Sequence, residues 1–256
     1  MTNDIDAGQR GPVLFNRYAY PPNELGYCGP DGSADLLARL SSGVGDMDLR
    51  ARARGFDGAW PYLETLATTL SAADSLPIDP LDAEVVHAYW VGSDLTSSVD
   101  PKTLIDRLRV DFAGQSGGVV HDIDFDTDCM AHHSFHVFAV YPWLRLLPRG
   151  ADVPLAVLQQ CRVRWGTVVS VSDEYVDLLS EPLQFLGGTL SLGAPVAETA
   201  RWSSAGRSLL ARPNVGDLVS LHWDWVCDRI DAMDVHHLQR CTDASISVAN
   251  RALQSM

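Results

Sequence analysis

Four of the eight histidines and one of the five cysteines lie within sixteen residues near the middle of the chain: His121, Cys129, His132, His133 and His136. On a helix His136 would share a face with His132 or His133, and on a strand it would line one side with His132. Each geometry can present two imidazoles to one metal ion, with Cys129 or His121 nearby. Neutral imidazole and thiolate suit iron, nickel, zinc or copper. The segment is therefore a candidate metal or active site, although its spacing matches no strong zinc signature. The alternative is that one or two of these histidines form hydrogen bonds in a buried junction while the others face solvent.

A second candidate is Cys28, which lies between Tyr27 and a Gly-Pro turn. Tyr20 precedes two prolines, and this predicts an extended conformation for it. Glycine and proline on both sides of Cys28 predict turns. A thiol held in this way can be reactive, can bind a metal or can help Tyr20 and Tyr27 to dock a partner. The alternative is a buried structural cysteine, because free cysteine is among the most buried residue types.

The last part of the chain has the pattern of a small β-barrel. Short alternating segments are separated by turn residues, at 168–171, 175–179, 190–192, 196–202 and 215–226, and a closing helix follows at 231–253. Cys161 lies at the predicted first strand and His222 on the last long strand, and this pair is the best functional candidate. Alternation places His222 on the polar side of its strand, reachable by solvent or a ligand. Asp224, on the same side, could orient its ring.

Two motifs lie at the two ends of this barrel region. It opens with Cys161-Arg162-Val163-Arg164-Trp165-Gly166 and ends with Gly216-Asp217-Leu218-Val219-Ser220-Leu221-His222-Trp223-Asp224-Trp225-Val226. These motifs resemble those of the small hydrogenase-formation chaperones, with Cys161 at the family's cysteine and His222 at its histidine. The resemblance implies an OB-like barrel that helps to build and deliver the iron centre of nickel–iron hydrogenases, with iron held by Cys161 and His222. The chain departs from that family at Trp165 (a proline there) and Asp224 (a glycine there), and in the internal position of its cysteine.

The first part of the chain carries another signature. Residues 17–30 read Arg-Tyr-Ala-Tyr-Pro-Pro-Asn-Glu-Leu-Gly-Tyr-Cys-Gly-Pro. This run is similar to that of an uncharacterised actinobacterial family, a domain of unknown function whose genes we associate with hydrogenase operons. The similarity implies no activity.

Composition narrows the class of protein. A chain of 256 residues can form one large domain or two small ones. It has no apolar run of about 18 residues and no basic and apolar leader, so we expect a cytoplasmic protein without a membrane span. Five cysteines without paired spacing favour reduced thiols. A net charge of −14 makes nucleic acid and anionic membranes poor partners.

These patterns together predict an α+β protein. Residues 1–12 form a tail, 13–150 a helical domain with the histidine-rich connector, and 156–256 an OB-like β-barrel with a C-terminal helix. Apolar periodicity predicts four or five short helices in the helical domain, and residues 137–143 read as a strand.

The function predicted first is an accessory protein of hydrogenase maturation, closer to a metallochaperone than to an enzyme. Its partners would be the hydrogenase large subunit or maturation factors, and its metal iron, with nickel or zinc as alternatives. The rival is a metal-dependent enzyme centred on His132, His133 and His136, with Cys28 or Cys129 as a candidate further ligand. A third reading is a structural subunit of a hydrogenase complex.

Overall fold

The computed structural model describes residues 7–42, 47–74, 76–124 and 126–256, and it combines helices with a β-sheet. The helices before the sheet are α1 (Ala7–Glu24), α2 (Ser33–Ser42), α3 (Met47–Ala53), α4 (Trp60–Asp74), α5 (Ala83–Trp90), α6 (Asp94–Ser98), α7 (Pro101–Asp111), α8 (His133–Phe135), α9 (Trp143–Leu146) and α10 (Asp152–Cys161). The strands are β1 (Arg164–Val171), β2 (Tyr175–Ser180), β3 (Leu183–Leu186), β4 (Thr189–Leu192), β5 (Val196–Arg201), β6 (Ser203–Ser204), β7 (Arg207–Ser208), β8 (Leu218–His222) and β9 (Trp225–Arg229). The last helix is α11 (Ala232–Gln254).

Helix α1 occupies a region where the sequence predicts a tail and then an extended segment. The tail prediction was wrong for residues 7–12, and so was the extended conformation predicted for Tyr20, because residues 7–24 are helical despite three prolines. Residues 1–6 lie outside the described part of the chain. Phe15, Tyr18 and Tyr20 are buried in the core. Their packing outweighs the local preference of an X-Pro sequence for extended backbone.

The helices predicted from apolar periodicity in the first half are confirmed. Two of them begin at side chains that satisfy free amide groups of the first turn. Asp82 accepts from the amide of Glu84 at the start of α5, and Asp100 accepts from the amide of Thr103 at the start of α7. These helices therefore start where the sequence supplies a cap.

Five strands form a closed barrel in the order β1-β2-β5-β9-β8. Neighbouring pairs are antiparallel except β5 and β9, which meet in parallel at Arg201 and Trp225. The hairpins β3-β4 and β6-β7 lie outside this ring. The first strand begins at Arg164, so the placement of Cys161 on a strand was wrong: it is the last residue of α10.

The connector contains no strand at residues 137–143. A single helical turn, α8, continues into a π-helical segment at His136–Val140. The strand prediction was wrong because an apolar run of this length does not distinguish a strand from a buried helix. All residues from Ala131 to Val140 are buried. Single π-helical turns occur frequently at functional sites.

The closing helix is confirmed as α11, with Asp231 capping its first amide groups. One hydrophobic cluster contains residues of both the helical part and the barrel part, from Val13 to Ala252. A smaller cluster fills the barrel interior. In the described residues no helix has the length and apolar character needed to cross a membrane.

Candidate metal centre

A thiol and two imidazoles meet in the interior of the protein. His133 stands at the start of α8, Cys161 ends α10 and His222 ends β8. One donor atom from each lies within 4.8 Å of the other two, and all three residues are buried. One ion can bridge such a group after a small contraction, because metal–nitrogen and metal–sulfur bonds of about 2.0–2.3 Å bring ligands closer together.

A backbone hydrogen bond joins the segment carrying Cys161 to the segment carrying His222. The amide of Trp223 donates to the carbonyl oxygen of Gln160 at 2.7 Å. Trp223 has a left-handed backbone, with φ of 54°, which costs energy in a residue of this size. The guanidinium of Arg164 donates to the Trp223 carbonyl oxygen at 2.6 Å. These two bonds hold the turn that places the thiol beside the ring.

One ring nitrogen of His222, an imidazole of the candidate site, has no hydrogen-bond partner. Its Nδ1 lies 2.6 Å from the carbonyl oxygen of Tyr18 and must donate to it, because a carbonyl only accepts. The neutral ring then keeps a lone pair on Nε2, which is buried and has no hydrogen-bond partner. A backbone carbonyl on one nitrogen and a free lone pair on the other is the usual arrangement of a metal-binding histidine.

Two predictions about His222 were wrong. It is not on a solvent-accessible side of its strand, since helix α1 covers that side: Tyr18 accepts from His222 and bonds to the hydroxyl of Ser220. His222 is 1% exposed. Asp224 does not orient its ring, because that carboxylate pairs with Arg201.

His133 is oriented by two hydrogen bonds. Its Nε2 donates to the carbonyl oxygen of Cys161 at 2.9 Å, which fixes the tautomer. Its Nδ1 therefore carries the lone pair and lies 3.1 Å from the hydroxyl of Tyr89. The ring of Trp90 packs against both His133 and His222. An ion bound by Nδ1 would take the place of the Tyr89 hydroxyl.

The protonation states fit a metal bound through nitrogen and sulfur. Burial lowers the pKa of His222 to about 4 and holds the pKa of His133 well below its usual range. Both rings are therefore neutral and able to donate a lone pair near pH 7. Burial raises the pKa of Cys161, so its thiol keeps its proton until a cation replaces it.

A cavity of about 330 Å³ reaches the three donors. Aromatic side chains form much of its wall, among them Phe56, Tyr89, Trp90 and Tyr141. Cys28 lines the same cavity and is half-buried. Its burial raises its pKa to about 11.

Two histidines of the connector lie near the centre without joining it. His132 accepts from the amide of Ser134 and so caps α8, and its Nε2 has no partner. His136 lines the cavity, and its Nδ1 is buried without a partner. Burial lowers the pKa of each to about 3. Of the three connector histidines proposed as a separate centre, only His133 belongs to the group of three donors.

The other predicted residues lie elsewhere. His121 is exposed in a turn, and the thiol of Cys129 is within 3.8 Å of the Asp124 carbonyl oxygen. Tyr20 is buried and donates to Glu24. Tyr27 is exposed, and its ring packs at 4.2 Å on that of Trp223.

Comparison with protein families gives one result that covers both parts of the fold. The sequence model of a family of unknown function, DUF6390, matches residues 7–256. The chain belongs to this family. The matched range includes all three donors of the centre, so the candidate site lies within the DUF6390 region. Searches of curated proteins and of solved structures give no match.

The role of His133 beside Cys161 and His222 was missed by sequence reasoning, which placed it in a different centre. The partners that orient the rings, Tyr18 and Tyr89, were also missed. Every residue has a backbone carbonyl, so the sequence does not reveal that the carbonyl of Tyr18 accepts from His222. Tyr89 is one of several apolar residues on α5 whose spacing indicates only a buried face.

Proposed function

We propose that this protein is an accessory protein that holds a metal ion through His133, Cys161 and His222. Two observations carry the proposal: one donor atom each of a buried thiol and two buried imidazoles lie within 4.8 Å of one another, and the buried Nε2 of His222 has no hydrogen-bond partner. A buried polar atom without a partner costs free energy, and a metal ion in this position would remove that cost. The donors are borderline to soft and suit iron, nickel or zinc.

The proposed cargo is the iron centre of a nickel–iron hydrogenase, held in the cytoplasm and passed to the large subunit or to maturation factors. Support comes from the resemblance, since Cys161 and His222 stand at the cysteine and histidine of the hydrogenase-formation chaperones. The closed barrel has five strands, which is also the number of strands in the OB fold. Five free cysteines in the structure fit a reducing compartment.

Metal analysis of protein purified without air tests this proposal. We expect about one iron per chain, lost in Cys161→Ala and in His222→Ala. His132→Asn is the matched control: its ring is equally buried next to the site, and asparagine can replace it as the cap of α8. This variant should keep its iron. Iron retained in Cys161→Ala and lost in His132→Asn would contradict the proposal.

One observation favours a metal-dependent enzyme as the second candidate. Three protein ligands beside a cavity of about 330 Å³ leave room for water or substrate, as in catalytic zinc sites. The two functions differ in the fate of the ion. A chaperone loses its radiolabelled iron to the metal-free hydrogenase large subunit, whereas an enzyme keeps its ion through that incubation.

A further inference from the structure

A second thiol lines the cavity that the three donor residues also line. Cys28 lines the same space as His133, Cys161 and His222 but is only half-buried, between the exposed residues Tyr27 and Gly29. It is therefore the most solvent-accessible of the four side chains. Within the described residues its sulfur makes no hydrogen bond that would compete with a metal.

The net charge of the metal-bound centre favours a further anionic ligand. A divalent ion with one thiolate and two neutral imidazoles keeps a net charge of +1 in a largely apolar space. Among the described residues that line the cavity the only carboxylate is that of Asp57, and Asp57 is exposed. Burying an uncompensated charge is costly. A second thiolate makes the centre neutral.

The loop that carries Cys28 is braced at its backbone. The side-chain amide of Asn23 donates to the carbonyl oxygens of Cys28 and Pro30, each at 2.8 Å. Arg52 donates to the Asn23 side chain at 2.8 Å and to the Pro30 carbonyl oxygen at 3.2 Å. Gly29, with φ of 84°, packs so closely on Phe56 that a side chain would not fit. This bracing holds the Cys28 side chain at the cavity wall.

We infer that Cys28 is the fourth ligand of the ion and the one nearest solvent. The inference rests on the proposed metal centre and completes its coordination set as two sulfur and two nitrogen donors, a tetrahedral set typical of zinc and of iron–sulfur sites. Binding of a divalent ion then forms two metal–sulfur and two metal–nitrogen bonds and releases two protons, one from each thiol. Cys28 is outside the group of donors within 4.8 Å of one another. Rotation about χ1 alone moves its sulfur by about 3 Å with the braced backbone unchanged.

Titration of the metal-free protein with Co²⁺ under argon tests this role. Each cobalt–thiolate bond adds intensity to the charge-transfer absorption in the near ultraviolet, so Cys28→Ser should halve that intensity. The same variant should release one proton per ion instead of two, and it should lose Co²⁺ to a chelator about tenfold faster or more because one metal–sulfur bond is missing. Cys28→Ala is measured in parallel, because it removes the sulfur without adding a hydroxyl. Cys129→Ser, which removes a thiol outside the cavity, should behave as wild type.

The outcomes separate this inference from the function on which it rests. Full intensity and two protons in both Cys28 variants would overturn the role of Cys28 and leave the three-residue centre standing. Loss of Co²⁺ affinity in His136→Gln, with none in Cys28→Ser, would assign the fourth position to His136 and also overturn it. A wild-type protein without any thiolate absorption would overturn the metal centre itself.

Discussion

Replacing Cys161 with serine is expected to weaken Co²⁺ binding roughly 10²- to 10³-fold. Structural zinc sites with four protein ligands gain about 10–16 kcal/mol, so one ligand contributes on the order of 3–4 kcal/mol. Serine is close in size but does not supply a thiolate at neutral pH. His222→Gln should show a similar loss, since it removes the Nε2 lone pair. Competition with a chromophoric chelator measures both affinities.

Cys129→Ser is the control for this experiment. Cys129 is buried like Cys161, but its thiol lies beside Asp124 and Asp126 and not in the group of three donors. The affinity of the Cys129→Ser variant for Co²⁺ should stay within about threefold of that of the wild type. Equal losses in Cys129→Ser and Cys161→Ser would mean that the effect comes from general destabilisation and would remove the support for the centre.

Mild acid is expected to destabilise the metal-free protein by about 3 kcal/mol between pH 7 and 6, and by about 7–8 kcal/mol between pH 7 and 5. The cause is a set of four buried histidines whose pKa values are lowered by burial: His132, His133, His136 and His222. In the unfolded chain each has a pKa near 6.5, about the ordinary value. The unfolded state therefore binds more protons than the folded state, and the free energy of unfolding decreases as pH falls from about 7 towards 4.

Urea unfolding at pH 7, 6 and 5 measures this effect. His136→Gln removes one of the four imidazoles and should reduce the change by about a quarter. His121→Asn, at an exposed position, should leave the change as it is. A free energy of unfolding that is constant from pH 7 to 5 would show that the four rings are not held neutral in the folded protein.

Parts of the fold follow from local patterns in the sequence. The closing helix α11 begins at a capping residue, Asp231. The short strands alternate apolar and polar residues, and turn residues separate them in the sequence. Helix α1 does not follow from such patterns, because its prolines favour another conformation and only burial of Tyr18 and its neighbours stabilises the helix. The π-helical segment at His136–Val140 likewise depends on burial from all sides.

The candidate site depends on contacts between distant parts of the chain. Cys161 and His222 were paired on the strength of a resemblance, and the structure brings their side chains together with His133. No local spacing could assign His133 to that pair, since its position depends on how α8 packs against α10 and the barrel. The burial of His222 could not be read from alternation either, because both sides of β8 are covered.

X-ray absorption spectroscopy of the zinc-loaded protein tests the central claim most directly. We predict sulfur scatterers at about 2.3 Å and imidazole nitrogen at about 2.0–2.1 Å from the ion, with one sulfur fewer in Cys161→Ser. A spectrum with only nitrogen and oxygen neighbours, unchanged in Cys161→Ser, would contradict a centre built on His133, Cys161 and His222.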